Sequence, residues 1–398
     1  MQTLASGPST RPAPARDRGI DALRGFALMG VVVVNAPIFA MPIDAGPVLA
    51  TPADRIAAWA TLAFGAGKFF LIFSFLYGFG LSVALDRAAH PGGSGAPLRR
   101  RLVALFAIGM AHATLLFYGD ILMLYALLGV ALVALRDAAP RRLAAIAAGS
   151  LALAVCTQSG IIALVLAETA SHGPIERIAG VGYLGGLGET VAARLADLPS
   201  ALVFLLAFNG PAAFAMVLAG RLAARSGAFP PQPKDLARLA RIAPAVLAIA
   251  GTASGLAAAV LVAALASPGS VDVRVTTLAA VVVCLAAPAL SLATAAILLA
   301  AATRHPDALA IRAFACVGES SLSGYLLHSL LLGGVFLGWG LGHWGALDAA
   351  AVLAVSLGVY AAIVGFLSLW RRAFALGPAE VLLRAVVAGR SQPSRGGP

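Results

Sequence analysis

Charge is scarce in this chain: only 11% of its 398 residues are Asp, Glu, Lys or Arg, against about a quarter in soluble globular domains. With 60% of residues hydrophobic and a mean hydropathy of +0.93, a water-soluble fold is excluded. Cysteine is nearly absent. Cys156, Cys284 and Cys316 are an odd number, lie in or beside apolar stretches and lack metal-ligand spacing, so neither a disulfide framework nor a metal site is expected. Each reads as a small buried hydrophobe. Acidic residues are few as well, 17 against 28 basic ones, for a formal charge of +11. In a soluble chain that excess would suggest nucleic acid. Here the basic residues flank apolar runs, where they anchor topology and meet anionic lipid, and no nucleic-acid partner is expected. No internal repeat is evident, which disfavours repeat-built transporters.

What the chain does have is long apolar stretches, near residues 22–41, 68–85, 102–118, 121–135, 143–167, 200–220, 242–266, 275–301, 314–337 and 347–369. Most approach the roughly 20 residues that a bilayer-crossing helix needs. Of the 28 basic residues, 23 fall into every second gap, leaving Arg55, Lys68, Arg177, Arg194 and Arg274. Because cytoplasmic loops carry the excess of Lys and Arg, both termini are placed in the cytoplasm. The expected fold is an all-α polytopic membrane helix bundle of about ten transmembrane helices, since backbone groups inside lipid must be satisfied internally. Residues 1–18 read as a disordered tail, 19–377 as the transmembrane domain and 378–398 as a cytoplasmic C-terminal tail. The longest outer loop is expected at 168–199, and the inner loop around 229–233 reads as a hinge. A long polar stretch before the first span, and Asp21 and Arg24 at its entry, argue against a signal peptide.

Ionisable groups inside spans are costly and usually mark a site. On the first span Asp21 and Arg24 are helical neighbours, and Asn35 returns to nearly the same face about 16 Å further on. They serve either as a snorkelling ion pair and a helix-gluing amide or as a binding face. Lys68 sits at the outer end of the second span, where it reads as an interfacial lysine or as a functional cation. His112 lies about two turns below an outer turn and is the first candidate for a general base. Asp120 directly precedes an apolar run, a position suited to an N-cap or to holding a histidine in one tautomer. Further along, Ser321, Gly324, Tyr325 and His328 share a helix face, whereas Glu319 and His328 point to opposite sides. The small residues Ser320, Gly324 and Ser329 suit close helix packing.

Four runs carry a resemblance: R-G-I-D-A-L-R-G-F-A-L-M-G-V-V-V-V-N (18–35), G-K-F-F-L-I-F-S-F-L-Y-G-F-G-L (67–81), F-Y-G-D-I-L-M-L-Y-A-L-L-G (117–129) and G-E-S-S-L-S-G-Y-L-L-H-S (318–329), with Gly377-Pro-Ala-Glu380 near the end. In this order they resemble the YeiB-like family of bacterial inner-membrane proteins, domain of unknown function 418. That family is similar to a superfamily of membrane acyltransferases. The resemblance implies a multi-pass protein of the bacterial inner membrane in which cytoplasmic acyl-CoA donates its acyl group to an acceptor on the far side. Acyl-CoA would be a co-substrate, with no cofactor held permanently. Arg24 would help bind the donor. One departure is plain: where the O-acetyltransferase branch places a catalytic His eleven residues after this Arg, the chain has Asn35, so the base has moved to His112 or His328 or acyl transfer is absent.

Two further readings stand beside the enzyme. The same polar residues could line the pathway of a small-solute transporter, with helix breaks at Asn209-Gly-Pro211 and Ala287-Pro288, or the protein could be an accessory protein without chemistry. For acyl transfer, His112, Asp120 and His328 are the candidate catalytic groups. Asp21, Arg24, Asn35, Lys68, Tyr125, Glu319, Ser323 and Tyr325 are the candidate substrate contacts, and Arg99, Arg100 and Arg101 either meet the donor phosphates or anchor topology. The expected partners are the lipid bilayer, acyl-CoA and an envelope glycan, lipid or small-molecule acceptor. The oligomeric state is left open by the sequence.

Overall fold

The computed structural model describes residues 17–41, 47–90, 93–172 and 182–388. Helix α1 (Arg18–Ala40) starts where the Asp17 carboxylate accepts from the amides of Gly19 and Ile20, at 2.9 and 3.3 Å, a standard N-cap. Helix α2 (Pro52–Ala60) opens on a capping box between Thr51 and Asp54, runs into a π turn at Thr61–Gly65 and resumes as α3 (Phe69–Ala89). The hairpin of α4 (Ala96–Leu115) and α5 (Leu122–Ala134) follows. Next come α6 (Pro140–His172), α7 (Leu187–Phe204), α8 (Gly210–Ser226), α9 (Pro233–Ala266) and α10 (Val273–Arg304). The chain finishes with α11 (Leu309–Glu319), α12 (Ser321–Phe336), α13 (Ala349–Ala373) and α14 (Pro378–Ala388). A second π turn, Leu205–Asn209, joins α7 to α8.

Seven helical runs are long and apolar enough to cross a membrane: Arg18–Ala40, Pro52–Ala89, Pro140–Ala167, Leu187–Ser226, Pro233–Ala266, Val273–Arg304 and Ala349–Ala373. The shorter apolar helices α5 and α12, together with α4, account for the remaining stretches seen in the sequence. The protein is a polytopic helical membrane bundle.

Its surface is apolar where a soluble protein's would be polar: Ile249, Leu256 and Leu278 are each at least 64% exposed. Lipid solvates such side chains as well as a core would, so helix association rests on close packing and interhelical hydrogen bonds. Helix α1 is central, touching α3, α10, α11, α12 and α13. Close packing shows at α3 and α8, where Gly78 faces the Val217 backbone and Gly220 the Phe75 backbone with no room for a Cβ.

Most of the basic residues gather at one end of the bundle, and several of them bind helix ends together there. Arg221 donates to Asp86 at 2.7 Å and to the Arg136 carbonyl at 3.0 Å, Arg225 donates to the Ala138 carbonyl at 2.7 Å, and Arg371 pairs with Glu319. Helix α14, inside the range read as the C-terminal tail, packs on α4 and α12. Residues 1–16 and 389–398, most of the two expected tails, lie outside the described residues.

Several expectations are corrected. The ninth stretch is two helices, broken at Ser320. The break frees the first amides of α12 for the Glu380 carboxylate, which accepts from Leu322 at 2.8 Å and Ser323 at 3.2 Å. Helix α7 occupies 187–199, the second half of the expected outer loop, because Glu189 accepts from the Gly186 amide at 2.6 Å and starts a helix there. Helix α2 went unread because it is short and precedes the stronger apolar run. Pro288 does not break α10. Cys156 faces outward on α6 rather than inward.

Candidate functional site

The site is built where α4, α5, α12 and the outer part of α1 meet. Helix α4 presents His112 one turn before its end, and the 116–121 turn places Asp120 beside it. The Asp120 Oδ2 accepts from His112 Nδ1 at 2.7 Å, and its Oδ1 accepts from the Met123 amide at 2.9 Å in the first turn of α5. Asp120 thus bonds the first turn of α5 and a histidine at once. With Nδ1–H given to the carboxylate, His112 Nε2 is left as an acceptor. From α12 the Ser329 hydroxyl donates to it at 2.8 Å. The third donor to the Asp120 carboxylate, and the second to its Oδ2, is the Tyr325 hydroxyl at 3.4 Å, which also accepts from the Ile121 amide at 3.2 Å. Asp120 and Ser329 have no exposed surface, and His112 has 2%.

His328 is adjacent but differently engaged. Its Nε2 accepts from Asn35 Nδ2 at 3.2 Å, and its Nδ1 donates to the Tyr325 carbonyl. Both nitrogens are satisfied, and His328 anchors Asn35. The outward neighbours are Phe39 and Phe117, stacked with ring centroids 4.4 Å apart and each edge-on to His328. Both phenyl rings and Asn35 also line a cavity of about 770 Å³ at the end of the bundle away from the basic residues. That volume is in the range of small-molecule sites.

On the other side of the site, polar groups continue toward the basic end. Tyr125 donates to the Phe70 carbonyl at 3.4 Å, shares a hydrogen bond of 3.2 Å with Ser74, and stacks on Tyr77 at 4.9 Å. The Tyr77 hydroxyl and Arg101 Nε are buried without a hydrogen-bond partner among the described residues, close enough to act on each other electrostatically. Arg24 completes this group, bonded to Asp21 at 2.9 Å with about a third of its side chain exposed. The sequence-read residues Arg24, Tyr125, Tyr325, Asp120, His112, His328 and Asn35 therefore form one connected set, with Arg101 and Tyr77 between Arg24 and Tyr125.

Three others do not join it. Glu319 is held by Arg371, and Ser323 by Glu380 and the Ala379 amide, at 3.0 Å for the latter. Lys68 is neither interfacial nor in the cavity. It is 3% exposed, and its Nζ donates at 3.0 Å to both the Leu62 and Ala66 carbonyls, which the π turn leaves without regular helical partners. Among the described residues no three His, Cys, Asp or Glu side chains converge on a point.

Residues 223–390, which supply α12 and its Tyr325, His328 and Ser329, match a family described as protein of unknown function, DUF418. YxaH of Bacillus subtilis strain 168, an uncharacterised protein, is 31% identical, with 94% of each chain aligned. The chain belongs to the DUF418 family. YeiB of Escherichia coli K12, also uncharacterised, is 27% identical over 95% of this chain and 98% of its own. In this DUF418 member the site draws half of its groups, Asn35, His112 and Asp120, from the part of the chain that precedes the matched segment.

Sequence reasoning missed Ser329 as a partner of His112, and the Phe39–Phe117 pair. Ser329 lies one helical turn after Tyr325 and so on its face, but its bond to α4 depends on how distant helices pack. Arg194 was missed as well. Its signal was a buried-span arginine on the side of the membrane poor in positive charge.

Proposed function

We propose that the protein is a membrane acyltransferase that moves an acyl group from cytoplasmic acyl-CoA to a hydroxyl or amine acceptor on the outer side. The observation that carries this reading is the Asp120–His112–Ser329 hydrogen-bonded series, a carboxylate orienting an imidazole whose free nitrogen faces a hydroxyl. That arrangement activates a nucleophile. Ser329 Oγ attacks the thioester carbonyl while its proton passes to His112 Nε2. The C–S bond breaks, and CoA leaves as the thiol with that proton. The acceptor hydroxyl or amine then gives a proton to His112 and attacks the acyl-serine, and the proton returns to Ser329 as the new bond forms.

Asn35 donates to the developing oxyanion through the amide hydrogen that His328 does not take. Arg24, Arg101 and Tyr77 supply cations and a donor at the basic end for the phosphates of CoA. Phe39 and Phe117 separate the imidazoles from the outer cavity and part to admit the acceptor.

The test is thermal stability of the detergent-solubilised protein against CoA, acetyl-CoA and longer acyl-CoAs. At a hundred times its dissociation constant, a ligand of the folded state stabilises by about 2.7 kcal/mol. A shift that Arg24→Ala abolishes supports the reading; no shift with any CoA compound removes it.

A second reading, transport of a small solute, is favoured by the π turn Leu205–Asn209, which falls beside the Asn209-Gly-Pro211 break read in the sequence and lines the cavity. Gradient-driven uptake into proteoliposomes, with no response to CoA, would select it.

A further inference from the structure

Arg194 stands in α7 near the end of the bundle opposite the basic cluster, 1% exposed. A buried guanidinium is ordinarily matched by a carboxylate, because its desolvation is otherwise uncompensated. Among the described residues none pairs with Arg194. Its one hydrogen bond among the described residues goes from NH1 to the carbonyl of Leu115 at the C-terminus of α4, where a cation is favoured by the helix dipole. That uses one of five donors.

Arg194 also lines the cavity of about 770 Å³, together with Asp197, Ser200, Asn35 and Asn209. Asp197, although one turn away, does not neutralise it. The Asp197 carboxylate accepts from the Tyr183 hydroxyl at 2.6 Å and is exposed, so water screens its charge far more than that of a buried guanidinium. Burial, and then the bond to Asp197, push the Tyr183 hydroxyl above the usual phenol range, which leaves it a donor. Tyr183 in turn stacks on Trp344, at 5.9 Å and 18°. The rest of the lining is largely apolar, including Phe39, Ile161, Phe204 and Leu205.

We infer that this cavity is a binding site for an amphipathic ligand bearing an oxyanion, a phosphate ester or a carboxylate, whose charged group is received by Arg194 and whose apolar part lies along α6 and α7. Planar guanidinium donors match such oxyanions bidentately. The ligand's far end then reaches Asn35 and the Phe39–Phe117 pair, so on the acyl-transfer reading, on which this assignment to the acceptor rests, the acceptor is anionic. The binding site itself does not depend on that reading.

The experiment titrates the solubilised full chain with inorganic phosphate, glycerol phosphate and a short-chain phosphatidic acid, reading thermal stability and tryptophan emission. Saturable binding is expected for at least one of the phosphate esters, weakened at least tenfold in Arg194→Gln. In Ala201→Glu, which keeps Arg194 and adds a competing carboxylate to the cavity wall, the same weakening is expected. Binding of phosphatidic acid alone identifies a lipid headgroup, and binding of glycerol phosphate as well identifies a soluble ester. His112→Asn should bind like the wild type, which separates this site from the fate of the catalytic proposal. Absence of saturable binding of either ester by the wild type, or equal affinity in Arg194→Gln and Ala201→Glu, overturns the inference.

Discussion

Ser329 of α12 donates a 2.8 Å hydrogen bond to His112 of α4, joining residues 217 positions apart inside the membrane bundle. No water is needed to complete it, since both groups are buried and His112 is held from behind by Asp120. An ionisable pair such as His112 and Asp120 within a membrane bundle marks a candidate functional site.

His112→Asn removes the acceptor nitrogen while keeping a side chain that can still bond Asp120. On the acyl-transfer proposal, turnover should fall by about two to four powers of ten, the usual contribution of a positioned acid–base group. Asp120→Ala should act in the same direction and also weaken the start of α5, by about 1 kcal/mol for the lost cap. Turnover and melting temperature of the two variants, measured side by side, separate these effects.

Lys68→Met tests the opposite kind of buried group. Its ammonium ties the Leu62 and Ala66 carbonyls across the π turn and touches no part of the cavity. Loss of hydrogen bonds from a charged donor should cost about 1.5–3 kcal/mol of stability, with activity per folded molecule unchanged. Denaturant titration alongside an activity assay reads both.

Phe117→Ala opens the ring pair that stands between His328 and the cavity. If acyl transfer runs through Ser329 as proposed, entry of the acceptor should become easier and water should reach the acyl-serine, so hydrolysis of acyl-CoA should rise relative to transfer. The ratio of free acid to acylated product is the measurement. An unchanged ratio would place the entry route elsewhere.

Glu380→Ala frees the first amides of α12, which the Glu380 carboxylate now receives together with the Ser323 hydroxyl. The loss should be about 0.5–2 kcal/mol, as for other N-caps. Because α12 carries Tyr325, His328 and Ser329, activity should drop more than the folded fraction does. Activity and folded fraction measured on one preparation give the comparison.

The bundle was legible because membrane folding leaves strong marks on sequence: apolar stretches of bilayer length and arginines at alternate ends. The candidate base and its carboxylate were legible for a local reason, since His112 and Asp120 flank one tight turn. Lys68 misled because its partners are carbonyls freed by a π turn, and such a turn has no side-chain signature. Ser329 and Arg194 were harder still. The role of Ser329 depends on α12 packing beside α4, and that of Arg194 on a cavity between helices, and neither relationship is encoded in residue spacing along one segment.

The most direct measurement incubates purified protein with acyl-labelled acetyl-CoA and follows both released CoA thiol and label bound to protein, in wild type, Ser329→Ala and His112→Asn. Acyl transfer through Ser329 predicts thiol release with label on a peptide containing Ser329, and loss of both in the two variants. Equal thiol release in wild type and variants, or label absent from that peptide while transfer continues, would contradict it.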